Sequence, residues 1–93
     1  MELRYNKNKQ LKSDFGISIY TYQDMLEKQG GVCAVCKGPE IVMRNGVPLM
    51  LAVDHDHVTG KVRGLLCSAC NLGLGIFKDS TSTLKAAIEY LNK

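Results

Sequence analysis

Residues 53–71 read VDHDHVTGKVRGLLCSACN and decide the fold, because they join a strand end, a polar turn, a second apolar run and a Cys-x-x-Cys pair. An earlier stretch, CAVC at residues 33–36, supplies a second pair. In each pair the two-residue gap lets both sulfurs reach one tetrahedral ion at about 2.3 Å. The spacing therefore predicts a zinc site made by Cys33, Cys36, Cys67 and Cys70.

Four thiolates fill the coordination shell of zinc and leave no position for a reacting water, so the predicted zinc is structural. The alternatives are two disulfides, a redox dithiol or simple buried thiols. Residues 1–7 lack the long apolar core of a secretory signal, so we expect reduced cysteines, and paired Cys-x-x-Cys motifs in that context favour metal binding.

The same stretch predicts a β-hairpin whose strands cover residues 47–53 and 61–66, joined by a turn at residues 56–60. Helices are predicted from Ser18 to the Gly30-Gly31 stop, over residues 68–77, and from Ser80 or Ser82 to the C-terminus. The result is one α+β domain over residues 1–93. It divides into an N-terminal helical arm at 1–30, a zinc-bound core at 31–78 and a C-terminal helix at 79–93.

Composition indicates an ordinary globular chain. Its 93 residues are 45% hydrophobic and 23% charged, and no stretch approaches the roughly 20 apolar residues of a membrane span. We therefore expect a soluble, cytoplasmic protein with no membrane partner. The formal net charge of +3 falls to about +1 once four thiolates hold Zn²⁺, so charge alone says little about nucleic acid.

Basic residues are concentrated near the N-terminus, within the first dozen positions. They form a candidate phosphate-binding strip made of Arg4, Lys7, Lys9 and Lys12. A solvated helix face or a frayed terminus is the alternative interpretation.

A dense polar cluster follows the first strand of the hairpin. Asp54, His55, Asp56 and His57 include both histidines of the chain. In extended geometry alternate side chains share a face, so the two carboxylates could project one way and the two imidazoles the other, unless the strand end breaks the alternation. The alternative is a polar turn that hydrogen-bonds to itself.

Asn71 directly follows the last cysteine, so the zinc site would fix its place at the start of a helix. A carboxylate from Asp54 and the Asn71 amide oxygen are suitable ligands for Mg²⁺ or Mn²⁺, and a neighbouring neutral imidazole can deprotonate water. Phosphodiester hydrolysis needs such a base and such a cation together. Helix capping is the alternative role for Asn71.

With these motifs in place, the chain resembles the phage recombination endonuclease VII family over roughly residues 11–91, most specifically at residues 53–71. The family is an HNH-type branch that cleaves branched DNA, especially Holliday junctions. The resemblance implies a ββα-metal (His-Me finger) fold with flanking helices, structural zinc and catalytic magnesium.

By resemblance, Asp54 and Asn71 bind the catalytic metal, His55 is the general base, and the four cysteines bind zinc. His57 resembles a secondary active-site residue that contacts phosphate or metal. Lys61 and Arg63 are similar to basic hairpin residues that meet the DNA backbone. A structural bridge from Arg63 to a carboxylate is the alternative.

This chain departs from the family's pattern in two ways, and both limit what the resemblance implies. Some family members carry an acidic residue three positions after the asparagine, where this chain has Leu74. Dedicated junction resolvases are also longer and form dimers. Because paired cuts in a junction need two active sites, we expect a monomer to nick and a homodimer through the terminal helices to resolve.

The leading hypothesis is thus a metal-dependent DNA endonuclease, which would act in the host-cell cytoplasm if it is phage-encoded. The alternative is a non-catalytic zinc-binding module that docks DNA or a protein. A redox dithiol protein is a third possibility, which predicts thiols that titrate without zinc.

Overall fold

The computed structural model describes residues 17–93, a small α+β domain of three helices and two antiparallel strand pairs. The helices are α1 (Ile19–Lys28), α2 (Ser68–Ile76) and α3 (Thr81–Leu91), and the strands are β1 (Met43–Arg44), β2 (Val47–Pro48), β3 (Ala52–His55) and β4 (Val62–Leu66). The first part of the predicted N-terminal helical arm, residues 1–16, lies outside the described residues. None of the helices described has the length and apolar character to cross a bilayer.

Helix α1 begins and ends where the sequence predicts. The Ser18 hydroxyl accepts a hydrogen bond from the Thr21 amide at 3.2 Å and caps the first turn. At the other end, Gly30 and Gly31 have φ values of 69° and 78°, and their amides bond back to the last turn of the helix. Glycine adopts this left-handed conformation without a side-chain clash, so the helix stops there.

The predicted strand at residues 47–53 is wrong at residues 49–51, which lie outside any strand. Val47 and Pro48 instead belong to a separate hairpin that pairs β2 with β1. Its turn is Asn45-Gly46 with φ values of 53° and 77°, as a tight two-residue hairpin requires. The sequence analysis assigned the whole apolar run to one strand and overlooked the Asn45-Gly46 turn before it. The core hairpin begins only at Ala52.

The core hairpin pairs β3 with β4 and confirms the predicted antiparallel arrangement. Asp54 lies opposite Gly64, but His55 lies opposite Val62, so the register skips Arg63. One extra residue on β4 is a β-bulge, which bends the strand and re-aims the side chains around it.

The outer edge of β4 is covered by the end of α1 and by the turn at residues 33–38, which carries the first cysteine pair and is called the cysteine turn below. The Gln29 side chain accepts from the Leu65 amide at 2.9 Å and donates to the Leu65 carbonyl at 3.0 Å. The Ala34 amide also donates to that carbonyl, at 3.1 Å. These bonds satisfy an edge that would otherwise expose unpaired backbone groups.

Helices α2 and α3 meet at a sharp turn. Lys78 and Asp79 both have a φ of 55°, a left-handed conformation that Asp tolerates better than most residues. Ser80 then caps α3 by accepting from the Thr83 amide at 3.2 Å, as predicted. The predicted helix over residues 68–77 is confirmed as α2.

The buried core lies between α1, the core hairpin and the cysteine turns, and it consists of Ile19, Tyr22, Cys33, Leu51, Val53, Leu65, Leu66 and Cys67. Leu74 of α2 packs against it. Helix α3 adds no buried residue. From the sequence, the apolar faces of the first and last helices could be core or dimer contact. Tyr22 belongs to the core, whereas Tyr20 and Ile88 are 82% and 58% exposed.

The hydroxyl of Tyr22 donates to the Leu51 carbonyl inside this core. We expect Tyr22→Phe to lower the free energy of unfolding by about 1–3 kcal/mol, because the buried carbonyl loses its donor. Tyr20→Phe removes the same hydroxyl from an exposed ring and should change stability by less than about 0.5 kcal/mol. Denaturant unfolding of both variants measures the difference, and equal stabilities would contradict the assignment.

Candidate functional site

The four cysteines gather at one point of the structure. Their sulfurs all lie within 4.8 Å of one another, and the sulfurs of Cys36 and Cys67 are 3.8 Å apart. Sulfurs at the corners of a tetrahedron around zinc, each at about 2.3 Å from the ion, stand about 3.8 Å apart. The cluster can therefore hold a metal ion of this size.

Local backbone geometry aims the first two sulfurs. Lys37 has a φ of 63° and turns the chain so that the Cys33 amide donates a hydrogen bond to the Gly38 carbonyl at 2.9 Å. The Val35 amide donates to the Cys33 sulfur and the Gly38 amide donates to the Cys36 sulfur, each at 3.4 Å. Amide donors stabilise thiolate over thiol, as metal binding requires.

The second pair lies at the start of α2, where Cys67 is the N-cap residue and Cys70 lies one turn on. Burial opposes ionisation of the Cys33 and Cys70 thiols and so acts to raise their pKa. At Cys33, however, hydrogen bonds from neighbouring residues outweigh burial and lower the pKa to about 6. At Cys70, burial and then the neighbouring thiols raise the pKa to about 12. Four thiolates this close need a cation to coexist.

Glu40 links the cysteine turn to helix α2. Its carboxylate accepts from the Ser68 amide and from the Ser68 hydroxyl, both at 2.8 Å, and from the Val42 amide at 3.0 Å. A carboxylate at this position satisfies a free amide of the first turn and complements the helix dipole. The sequence analysis missed Glu40, because its partners are far away along the chain.

The polar end of the core hairpin is organised by an ion pair. Arg63 donates from Nε to one Asp54 oxygen at 2.7 Å and from Nη2 to the other at 3.0 Å. The Asp54 hydrogen bonds are the main reason that the pKa of Arg63 is raised. The bulge places these two residues side by side, so the alternative role considered for Arg63, a bridge to a carboxylate, is present in the structure.

The two histidines also meet at this end of the hairpin. The rings of His55 and His57 stand edge to face with centroids 4.9 Å apart. Asp56 does not join them, because its carboxylate accepts from the Val58 and Thr59 amides at 2.7 and 2.9 Å. These bonds, Thr59 first, lower the pKa of Asp56. The self-bonded turn considered as an alternative therefore describes Asp56, while the imidazoles share one side.

Asp79 completes the cluster from the turn after α2. One of its oxygens lies 3.1 Å from Arg63 Nη2 and 3.6 Å from His57 Nε2. The sequence analysis missed this carboxylate as well. Only the left-handed turn at residues 78–79 brings it back onto the hairpin, and no spacing rule predicts that approach.

The remaining predicted residues divide into two groups. Asn71 lies on the first turn of α2 with an exposed side chain, and within residues 17–93 its side-chain carboxamide has no hydrogen-bond partner. Lys61 is exposed beside the hairpin turn. The basic residues of the predicted N-terminal strip, Arg4, Lys7, Lys9 and Lys12, lie outside the described part of the chain.

The geometry defines the class of protein. It is a small α+β domain with a four-cysteine cluster and a hairpin that carries paired imidazoles and carboxylates. The family model for recombination endonuclease VII matches residues 8–93. The chain therefore belongs to the recombination endonuclease VII family, a family of DNA endonucleases that act in recombination.

Two phage proteins are among its relatives. The chain is 45% identical over 80 residues to the Gene 59 protein of Mycobacterium phage D29 and 46% identical over 78 residues to that of Mycobacterium phage L5. The matches cover 85% and 83% of this chain, but 46% and 44% of the two relatives. The chain thus spans less than half the length of these proteins. No solved structure matches it significantly.

Glu40 gives the site a testable pH dependence. Its hydrogen bonds, from Val42 first and then from Ser68, outweigh burial and hold its pKa below the usual 4.5. Stabilisation from a depressed pKa is fully present above the unfolded-state pKa and is lost as pH falls through the folded-state pKa. We expect Glu40→Gln to cost about 1–3 kcal/mol at pH 7.

The difference between wild type and Glu40→Gln should shrink as pH falls below 4.5. Denaturant unfolding at a series of pH values measures it, and comparing the two proteins removes the effect of acid on the cysteines that they share. Glu27→Gln, on the exposed side of α1, is the matched control and should show almost no difference at any pH. A Glu40→Gln protein as stable as wild type at pH 7 would rule out this role.

Proposed function

We propose that this chain is a metal-dependent DNA endonuclease whose cleavage centre is the polar end of the core hairpin. The observation that carries the proposal is the cluster formed there by Asp54, His55, His57 and Arg63 in a member of an endonuclease family. Helix α2 packs on both strands of that hairpin and carries Asn71. Asn71 and the hairpin residues therefore belong to one packed unit.

His55 is the proposed general base. One of its ring nitrogens takes a proton from water as the water oxygen forms a bond to phosphorus. The bond from phosphorus to the 3′-oxygen breaks in line with this attack, and the leaving oxygen takes a proton from solvent. His57, whose ring stands against His55, is proposed to contact the phosphate or the metal.

Asp54 and Asn71 are the proposed ligands of a catalytic Mg²⁺ or Mn²⁺. Their oxygens have the hard character that these ions prefer. Both Asp54 oxygens accept from Arg63, yet a carboxylate offers about four acceptor positions, so the ion pair leaves room for a ligand bond. When bound, such a cation stabilises the charge that develops on the phosphoryl oxygens and the leaving oxygen.

Lys61 and Arg63 are the proposed DNA contacts of the hairpin, with Arg4, Lys7, Lys9 and Lys12 as a second strip. Backbone phosphate contacts orient a nuclease on its substrate without reading sequence. We propose branched DNA, including Holliday junctions, or nicked duplex as the substrate. A homodimer would make paired cuts in a junction and a monomer would nick. If phage-encoded, the protein would act in the host-cell cytoplasm.

Zinc is the proposed occupant of the cysteine cluster. We expect one zinc per chain by elemental analysis. Cys36→Ser should lose it to a chelator and lower the unfolding midpoint by at least about 10 °C, because the metal joins the cysteine turn to α2. Ala69→Ser, exposed between the second pair, should keep both zinc and midpoint. Full zinc retention in Cys36→Ser against the chelator would refute the assignment.

The nuclease is tested with labelled four-way-junction, nicked and linear DNA, each with Mg²⁺ or EDTA. We expect Mg²⁺-dependent cutting that His55→Ala lowers by about 10²- to 10⁴-fold, since the base is lost. Zinc content and unfolding midpoint should stay unchanged in this variant. Gln23→Ala, on the exposed side of α1, is the control and should cut at the wild-type rate.

Cleavage by His55→Ala at the wild-type rate would exclude His55 as the base. If the wild-type protein binds DNA but cuts none of the three substrates with any metal, the alternative of a non-catalytic zinc-binding module replaces the nuclease. Paired cuts in the junction, together with a dimer by sedimentation, would assign the resolvase form of the activity.

A further inference from the structure

Asp79 is held in place by the backbone around it. Its amide donates to the Leu74 carbonyl at 2.9 Å, and its φ of 55° turns the chain out of helix α2. The side chain is 22% exposed, so it lies against the protein rather than in open solvent. The turn therefore delivers a carboxylate to the hairpin from a separate element.

That carboxylate shares an arginine with the proposed metal ligand. Arg63 Nη2 donates to Asp54 at 3.0 Å and to Asp79 at 3.1 Å, while Nε donates to Asp54 at 2.7 Å. The same Asp79 oxygen faces His57 Nε2 at 3.6 Å. One carboxylate thus contacts both basic side chains that flank Asp54 and His55.

We propose that Asp79 is a positioning residue of the cleavage centre, which fixes the Arg63 guanidinium and the His57 ring in the orientation that phosphate binding requires. The proposal rests on the nuclease function proposed above. A planar guanidinium held by one carboxylate can still tilt about that contact, whereas a second carboxylate bonded to Nη2 restricts that tilt.

The arrangement leaves one donor group of Arg63 available. Within residues 17–93, Nη1 has no hydrogen-bond partner, and it is the nitrogen that we assign to a phosphate oxygen.

A positioning role for Asp79 can be distinguished from an effect of its negative charge alone. A carboxylate near DNA repels phosphate, so an Asp79 that acted only through its charge would slow binding and cleavage.

Asp79→Asn is the sharpest variant, because Asn tolerates the left-handed conformation as well as Asp does and weakens the hydrogen bond to Arg63 by removing the charge of the acceptor. Asp24→Asn makes the same charge change on α1, where Asp24 pairs with Lys28 at 3.0 Å on the exposed surface. The zinc-loaded full chain is used throughout. Zinc content and thermal unfolding confirm that each variant is folded.

Three quantities are measured for each protein: the single-turnover cleavage rate constant at saturating protein, the Kd for uncleaved DNA in Ca²⁺, and the solvent exchange of the Arg63 side-chain N–H protons by NMR. We expect Asp79→Asn to lower the rate constant by about 10- to 100-fold with Kd changed by less than about 3-fold. Arg63 proton exchange should accelerate. Asp24→Asn should leave all three at wild-type values.

Arg63→Lys provides a second variant, since a lysine cannot bridge two carboxylates in a fixed plane. It should lower the rate, and adding Asp79→Asn should lower it little further, because both changes remove one arrangement. Fully additive losses, or slowed cleavage with unchanged Arg63 exchange, would overturn the proposal. So would an Asp79→Asn protein that cuts at least as fast as wild type.

The wild-type protein separates the two proposals. If it cuts DNA and Asp79→Asn cuts equally well, the nuclease stands and the role of Asp79 fails. If the wild type cuts no DNA, the nuclease function itself fails, and a cleavage role for Asp79 fails with it.

Discussion

The meeting of four sulfurs at one point is the constraint on which the rest of this structure depends. The cluster joins the turn at residues 33–38 to the first turn of α2, two segments that are separated by about thirty residues of sequence. A metal ion held there would close everything between them, including both hairpins, into one loop. A domain of this size buries a modest core, so a cross-link at this point stabilises it strongly.

A second set of contacts ties the core hairpin and helix α2 to the segments that precede them in the chain. Gln29 and Ala34 bond to the backbone of Leu65, and Glu40 bonds to the start of α2. The hairpin is thereby held from its outer edge and from its neighbouring helix. The polar end of β3 projects from this fixed frame. The cleavage centre proposed there would need such a frame, because small displacements of reacting groups cost large factors in rate.

Charge balance governs the polar end itself. Asp54 and Asp79 approach the hairpin from different elements, and Arg63 lies between them as the extra residue of a β-bulge. A carboxylate pair of this kind would repel without a cation between its members. The bulge therefore does more than bend the strand, since it places the Arg63 guanidinium where it donates hydrogen bonds to both carboxylates.

By itself, the sequence determined the cysteine pairs, the capped helix after Ser18, the core hairpin and the placement of Asp54, His55 and His57 at its polar end. Those features depend on the spacing of residues and on helix caps, both of which can be recognised within short stretches of sequence. Only the tertiary structure decided that Arg63 bridges Asp54 and Asp79, that Glu40 anchors α2, and that Asn45-Gly46 forms a separate hairpin. These contacts join residues that are distant along the chain or re-aimed by a bulge, and no local pattern records which distant side chains will meet.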